Sequence, residues 1–167
     1  MADSLVTTLL ENIRLNLRDS TTYTALGYLK TVDVVSEFVL YAKNSPYAVI
    51  VAENPVDQQT LTGVLVWWQP VTVYIVNRRQ KTPDGDRAML GDASLPGLDT
   101  LAKDARQALC RPSPYNPVPT VSYTTLTGVL NTRYGGMEYR GVEEGVKDEA
   151  AAPVVAIHID YLCVEAR

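Results

Sequence analysis

The chain has 167 residues, a net charge of -4 and a hydrophobic fraction of 46%. This length fits a single domain, residues 1–167, and the apolar content argues against wholesale disorder. The acidic balance argues against binding of bulk DNA or RNA as the main role, because such binding rests on a basic surface. No stretch approaches the length of a membrane-spanning helix, and the N-terminus lacks the pattern of a signal peptide. We therefore expect no membrane association.

Two segments have the periodicity of amphipathic helices. Residues 3–18 repeat leucine or isoleucine at every fourth position, and Asp3 or Ser4 can cap the N-terminus. The second segment runs from Leu98 to Leu109 and carries its apolar residues on one face. A brief additional helix is expected over Glu37–Lys43, because Ser36 can cap it.

Strands are predicted where β-branched and aromatic residues concentrate. The terminal strand alternates, with Ile157 and Ile159 on one face and His158 and Asp160 on the other. Gln69-Pro70 is interpreted as a tight turn or bulge between two paired strands. The predicted strands are Leu29–Val35, Tyr47–Ala52, Leu61–Trp68, Val71–Asn77, one or two within Val118–Leu130, and Val154–Val164.

The order of these elements does not alternate as in a parallel α/β fold. It favours an α+β class, with a mixed, mostly antiparallel β-sheet packed against two main α-helices. Long loops are expected near 78–96, which is rich in turn residues, and near 131–152.

No residue pattern predicts catalysis. His158 is the single histidine, and we interpret it as a half-exposed strand residue. Asp84-Gly85-Asp86 is interpreted as a turn, since it lacks the later acidic ligand of a calcium loop. We expect no catalytic residue, no cofactor and no metal site, and Cys110 and Cys163 to be buried, reduced thiols.

Two charged clusters have two interpretations, as a solvated strand end and a solvated loop or as contacts between copies of the chain. One is basic and follows a predicted strand; the other is acidic and lies in a predicted loop. Opposite patches on one chain suit a head-to-tail ring, in which unlike surfaces meet at each joint. The proposed assembly contacts are Arg78, Arg79, Lys81, Arg87, Glu143, Glu144, Asp148 and Glu149.

The aromatic residues are unusual, with ten tyrosines against one phenylalanine. Tyrosine suits interfaces that are apolar on one side and wet on the other. Tyr115, Tyr123, Tyr134 and Tyr139 lie in the least regular part of the chain, as a self-assembly surface or as loop residues packed on their own domain. Trp67 and Trp68 are adjacent on a strand, so one is expected in the core and the other against a partner, either a helix or another subunit.

Several strings resemble the tail terminator proteins of tailed bacteriophages, as found in Mu-like phages and similar in fold to the lambda tail terminator. The resemblance lies in the order of these strings along most of the chain. They are Leu29-Lys30-Thr31-Val32, the segment Tyr47–Glu53, Val71–Val76 followed by Asn77-Arg78-Arg79, and Gly97-Leu98 at the start of a helix. The predicted strand before Trp68 and the stretch Val118–Arg133 are longer than in the shorter relatives.

The resemblance implies a structural virion protein and no enzyme. Such a protein assembles in the host cytoplasm as a ring, usually a hexamer, on the last ring of the tail tube. It ends tube polymerisation and offers the surface for head–tail joining. The implied partners are other copies, the tail tube protein, the head–tail connector or neck protein and possibly the sheath protein, with DNA passing through the lumen without specific binding.

Two other functions stay open on the sequence. One is a small cytoplasmic hydrolase that uses carboxylates, which would need a concave pocket with a charged pair of strongly perturbed pKa. The other is a monomeric adaptor that binds a protein through the tyrosine-rich segment.

Overall fold

The structure, a computed structural model, describes residues 4–39, 46–77, 90–91, 94–110, 128–141 and 153–166. Within these residues the chain forms an α+β fold with one six-stranded sheet. The helices are α1 (Leu5–Asn16) and α2 (Leu98–Leu109), with a 3-10 turn at Thr24–Tyr28. The strands are β1 (Val32–Val35), β2 (Tyr47–Ala52), β3 (Val56–Leu61), β4 (Val64–Val76), β5 (Val129–Gly141) and β6 (Pro153–Ala166). No helix in this described part is long and apolar enough to cross a membrane.

The sheet is mixed and mostly antiparallel, as predicted. Its order is β1-β2-β4-β6-β5, and only β1 and β2 run parallel. β3 pairs with the first half of β4, on the same side on which β2 pairs with the second half. The long central pair is β4 and β6, in register from Val64↔Ala166 to Val76↔Val154.

The predicted hairpin around Gln69-Pro70 is wrong. β4 runs unbroken through both residues for 13 residues, and its hairpin partner is β3, which the sequence did not reveal. Pro70 fits because it lies at the gap between β2 and β3, where no strand needs the N–H that proline lacks. Its carbonyl accepts from Glu53 N at 2.9 Å, and the Gln69 side-chain amide donates to Glu53 O at 2.7 Å.

The predicted loop near 131–152 is wrong over residues 131–141, which lie in β5. The Gly135-Gly136 pair sits at a bulge in the pairing with β6, where Gly136 has φ +111°. A Cβ on Gly135 would lie 3.2 Å from the His158 Cβ, so this glycine allows close approach of the two strands.

Two other predicted segments lie partly outside the described residues. Residues 37–39 are not helical, contrary to the predicted helix over Glu37–Lys43, whose remainder is not described. In the predicted loop near 78–96, Gly91 and Pro96 form an isolated antiparallel bridge. The predicted strands within Val118–Leu130 are described only from residue 128, and Val129 begins β5.

Both main helices form as their periodicity predicts. Ser4 caps α1, since its hydroxyl accepts from Thr7 N at 3.2 Å. α2 runs from Leu98 to Leu109, with Gly97 as its N-cap and Cys110 as its C-cap. The helices cover one face of the sheet, and the core between them consists of fully or almost fully buried apolar residues, among them Leu9, Ile13, Leu98, Leu101, Val73, Ile75, Ile157 and Ile159.

The other face of the sheet carries a smaller apolar cluster at one end. Tyr47, Val49 and Val154 are buried in it, and Phe38 stacks on Tyr74 with ring centroids 4.1 Å apart. The remainder of that face, away from this cluster, carries the features described next.

Candidate assembly surfaces

The face of the sheet opposite the helices bears a group of apolar side chains that belongs to neither apolar cluster of the described residues. Directly paired residues of antiparallel strands share a face, and the register places Trp68 beside Val56 and Leu162, and Val64 beside Leu61. We call this group the open-face patch. It consists of Val56, Leu61, Val64, Val66, Trp68, Leu162 and Val164.

The two adjacent tryptophans point to opposite faces as predicted, but the described contact of Trp68 is with a strand residue and not with a helix. Trp67 lies in the core on the helix side and is 6% exposed. Trp68 lies on the open face, where the Arg133 guanidinium stacks 4.4 Å from the centre of its ring. Asp160 holds that guanidinium with an ion pair of 2.9 Å. The partner of Trp68 is therefore found on β5 of the same chain, and the stack borders the open-face patch.

A line of polar side chains crosses the open face beside the patch. The Thr72 hydroxyl lies 3.1 Å from His158 Nδ1 and also donates to Glu53 Oε1 at 3.3 Å. On the other side of the ring, His158 Nε2 lies 3.5 Å from Glu138 Oε2. His158 is half-exposed on a strand, as predicted, and these contacts link the end of β2 to β4, β6 and β5.

Glu138 is an exposed member of this line, with 55% of its side chain exposed. The guanidinium of Arg140 donates to its carboxylate and lowers the pKa of Glu138, with a smaller contribution from His158. The carboxylate therefore stays ionised and paired over the neutral pH range. Among the described residues, no group of three or more His, Cys, Asp or Glu side chains could hold a metal ion.

The hairpin formed by β3 and β4 ends in a two-residue turn, Thr62-Gly63, between the paired residues Leu61 and Val64. Gly63 has φ +75°, which glycine adopts without strain. All six residues of β3 are exposed, and the Leu61 side chain is 55% exposed. We call Leu61–Val64 the hairpin tip. A leucine held this open at a turn is a candidate contact for another protein surface.

A groove of about 540 Å³ lies on the helix side of the sheet, between α1 and the outer strand β1. Val34 is 41% exposed and pairs with the buried Ile50, which places it on the helix side. Glu11, the charged residue of the lining, forms an ion pair with Arg14 that lowers its pKa. We call this the α1–β1 groove. Its described lining is Thr7, Thr8, Leu10, Glu11, Asn12 and Val34.

The predicted contact residues Arg78, Arg79, Lys81, Arg87, Glu143, Glu144, Asp148 and Glu149 all lie outside the described residues. Tyr115 and Tyr123 do so as well, whereas Tyr134 and Tyr139 lie on β5 and not in irregular structure. Both face the helices: Arg106 stacks 4.1 Å from the Tyr134 ring, and the Tyr139 hydroxyl donates to Asp99 at 2.9 Å. Both therefore pack on their own fold, from a strand and not from a loop, and the self-assembly alternative stays a prediction.

Neither the open-face patch nor the α1–β1 groove was predicted from the sequence. A signal was present, because Val64, Val66 and Trp68 alternate with core residues and so do Leu162 and Val164. Apolar residues at both odd and even positions predict a strand with two apolar faces. The groove left no such signal, since it depends on where α1 meets the edge of the sheet.

Two described cavities bear on the hydrolase alternative. The described lining of the α1–β1 groove holds one carboxylate, Glu11, and that of a smaller cavity between Tyr28 and Pro96 holds none. Neither described lining therefore supplies the pair of carboxylates that this alternative requires. Both cysteines are free, and burial raises the pKa of Cys163 to about 12.

Tyr139 gives a pH dependence that can be measured. Burial and the hydrogen bond to Asp99 raise its pKa from 10 to about 12. Between pH 10 and about 12, the folded state therefore retains the phenol proton that the unfolded state loses. The contribution of Tyr139 to the free energy of unfolding is present in full below pH 10 and is lost as the pH rises towards 12. We expect Tyr139→Phe to flatten the fall in unfolding free energy between pH 10 and 12 in urea titrations. Tyr28→Phe, at another exposed tyrosine, is the control, and equal slopes for both variants would contradict the assignment.

Neither protein-family models nor curated protein sequences give a match to the chain.

Proposed function

We propose that the chain is a structural virion protein that caps the tail tube of a bacteriophage. In this role copies form a ring, with six as the expected number, on the last ring of tube protein. The ring ends polymerisation and offers a surface to the connector or neck protein, and to the sheath protein where one is present. DNA passes through its lumen without specific binding, and the protein acts at the head–tail interface of the virion after assembly in the host cytoplasm.

The observation that carries this proposal is the pair of unlike surfaces on opposite sides of one sheet, one apolar and one of mixed polarity. The open-face patch and hairpin tip lie on one side, and the α1–β1 groove lies on the other. A protein with two different surfaces for association joins head to tail, and such contacts form a ring when the rotation closes. A small hydrolase needs neither surface.

The sizes are compatible with this role. A folded chain of 167 residues has a radius of gyration of about 15 Å, so only several copies can surround a tube wide enough for DNA. The negative net charge lets DNA slide past without being held.

Tube growth in the presence of the purified chain tests the proposal. Tail tube protein is polymerised alone, with the chain, and with an equal amount of an unrelated monomeric protein as control. We expect shorter tubes with extra density at one end in negative-stain images when the chain is present. Unchanged tube lengths and bare ends at saturating chain would refute the proposal. A chain that binds one partner as a monomer and leaves tube length unchanged would support the adaptor alternative.

A further inference from the structure

We propose that His158 is a proton-controlled switch on the open face, which binds the Glu138 carboxylate only while its imidazole ring is protonated. The ring keeps its contact with the Thr72 hydroxyl in both protonation states. This inference goes beyond the capping role and does not depend on it, because it concerns contacts within one copy of the chain.

Three polar contacts in series carry the inference. Glu138 Oε2 lies 3.5 Å from His158 Nε2. On the other side of the ring, Nδ1 lies 3.1 Å from the Thr72 hydroxyl, and that hydroxyl lies 3.3 Å from Glu53 Oε1. The series begins and ends with a carboxylate, and an ionised carboxylate only accepts hydrogen bonds. The protons for all three contacts must therefore come from the imidazole and the hydroxyl.

The number of available protons differs between the two forms of the ring. A neutral imidazole supplies one N–H and the Thr72 hydroxyl supplies one O–H, which leaves one of the three contacts without a proton. An imidazolium carries an N–H on both nitrogens, so every contact receives a proton. The complete series from Glu53 to Glu138 therefore requires protonated His158, and the neutral ring must give up one of the two carboxylates.

Distance and charge indicate that Glu138 is the carboxylate given up. Its contact with Nε2 is the longest of the three and lies at the limit of a hydrogen bond. Glu138 also has a second partner, since the Arg140 guanidinium donates to the same oxygen, Oε2. The Glu53 carboxylate accepts its described hydrogen bond from Thr72, and such a bond to a charged group is stronger than one between neutral groups.

Burial fixes the middle of the series. Thr72 is 2% exposed, so its hydroxyl must find its hydrogen-bond partners within the protein. A neutral ring with its proton on Nδ1 donates to this hydroxyl, which in turn donates to Glu53. With the proton on Nε2 instead, the hydroxyl would have to donate to Nδ1 and would face Glu53 without a proton between the two oxygens. We therefore expect neutral His158 to carry its proton on Nδ1.

The charges beside the ring balance only in the acid form. On the open face around His158, the described charged side chains are three carboxylates and two guanidinium groups. Protonated His158 supplies a third positive charge, whereas the neutral ring leaves one negative charge in excess. These groups are Glu53 at the end of β2, Arg133, Glu138 and Arg140 on β5, and Asp160 on β6, while Thr72 and Tyr74 of β4 are uncharged at neutral pH.

Nitrogen NMR of the isotope-labelled, untagged chain tests the proposal. His158 is the single histidine, so the ring signals belong to it without further assignment. Spectra are recorded from about pH 5 to 8, the range in which histidine side chains change charge. We expect protons on both ring nitrogens at the acid end. At the other end, the form with the proton on Nδ1 should exceed the form with the proton on Nε2 by about tenfold or more, as a hydrogen bond coupled to a charged group allows.

The carbon signals of the side-chain carboxylates show which one is released. As the ring loses its proton, the Glu138 signal should move with the same midpoint as the ring nitrogens, and the Glu53 signal should keep its position. A shift of the Glu53 signal in place of the Glu138 signal would overturn the proposal. An excess of the Nε2–H form in the neutral wild-type chain would do so as well.

Two variants and a matched control complete the test. Thr72→Val removes the hydroxyl with little change in shape, and Glu53→Gln removes the charge at an exposed position that the fold tolerates even where the buried site does not accept valine. Both should reduce the excess of the Nδ1–H form by about fivefold or more. Glu165→Gln makes the same chemical change as Glu53→Gln, on the opposite face of β6 and near its end, and should leave the ring signals unchanged. Equal spectra for the two glutamine variants would refute the switch and leave the capping role in place, since tube growth is measured separately.

Discussion

Replacing Leu101 with alanine should lower the free energy of unfolding by about 2–5 kcal/mol. Leu101 is fully buried in the core between α2 and the sheet. Its truncation removes apolar area from the core and leaves a cavity that rigid neighbours fill only in part. For a chain of this size, thermal denaturation should show a fall in Tm of about 2–4 °C for each kcal/mol.

Leu61→Ala is the matched control, since it makes the same chemical change where the side chain is 55% exposed. We expect its stability to remain within about 0.5 kcal/mol of the wild-type chain. Under the proposed capping role, this variant should nevertheless shorten tubes less, because the tip loses its largest apolar group. Equal destabilisation by both variants would contradict the placement of Leu61 at an exposed turn.

Gly91→Ala should have a similarly large effect, for a different reason. Gly91 has φ +75°, and a Cβ there would lie 2.3 Å from Gly97 N and 2.8 Å from Leu95 O. Both are backbone atoms beside Pro96, the residue that forms a bridge with Gly91, and Gly97 is the N-cap of α2. Relief of the clash must therefore displace the start of the helix. We expect a loss of more than about 3 kcal/mol in urea unfolding. Hydrogen exchange should also become faster in the first turn of α2.

Gly63→Ala separates backbone strain from crowding. Gly63 has the same φ of +75°, but a Cβ there would meet nothing within 4 Å. Only the strain of a left-handed residue remains, about 1–2 kcal/mol. If Gly91→Ala costs no more than Gly63→Ala, the close contact between Gly91 and Gly97 does not exist in solution.

The elements that could be predicted from sequence are those whose pattern is local and strongly periodic. α2 begins and ends where its apolar repeat does, and β2 spans the predicted Tyr47–Ala52. The errors arose where local signals compete with pairing. Gln69-Pro70 looks like a turn in isolation, yet proline is tolerated in mid-strand because the neighbouring strands leave a gap beside it.

The location of the candidate surfaces is decided by the fold more than by amino-acid composition. The charged residues that first predicted assembly lie outside the described residues, so those contacts remain a prediction. The patch consists of ordinary apolar residues, the tip adds Thr62 and Gly63, and the described groove lining mixes Leu10 and Val34 with four polar residues, so nothing in residue identity marks these surfaces. Their exposure follows from where β3 ends and where α1 meets the edge of the sheet.

Periodicity by itself determined the α+β class, the two main helices and the alternation that buries Ile157 and Ile159 while His158 and Asp160 face outward. This holds because burial of one side of a helix or strand is encoded at fixed residue spacings. Only the tertiary structure decided which strands pair, that β4 continues through Pro70, and that Trp68 stacks on Arg133. Those outcomes join residues far apart in the chain, and their energy depends on contacts that no local window of sequence contains.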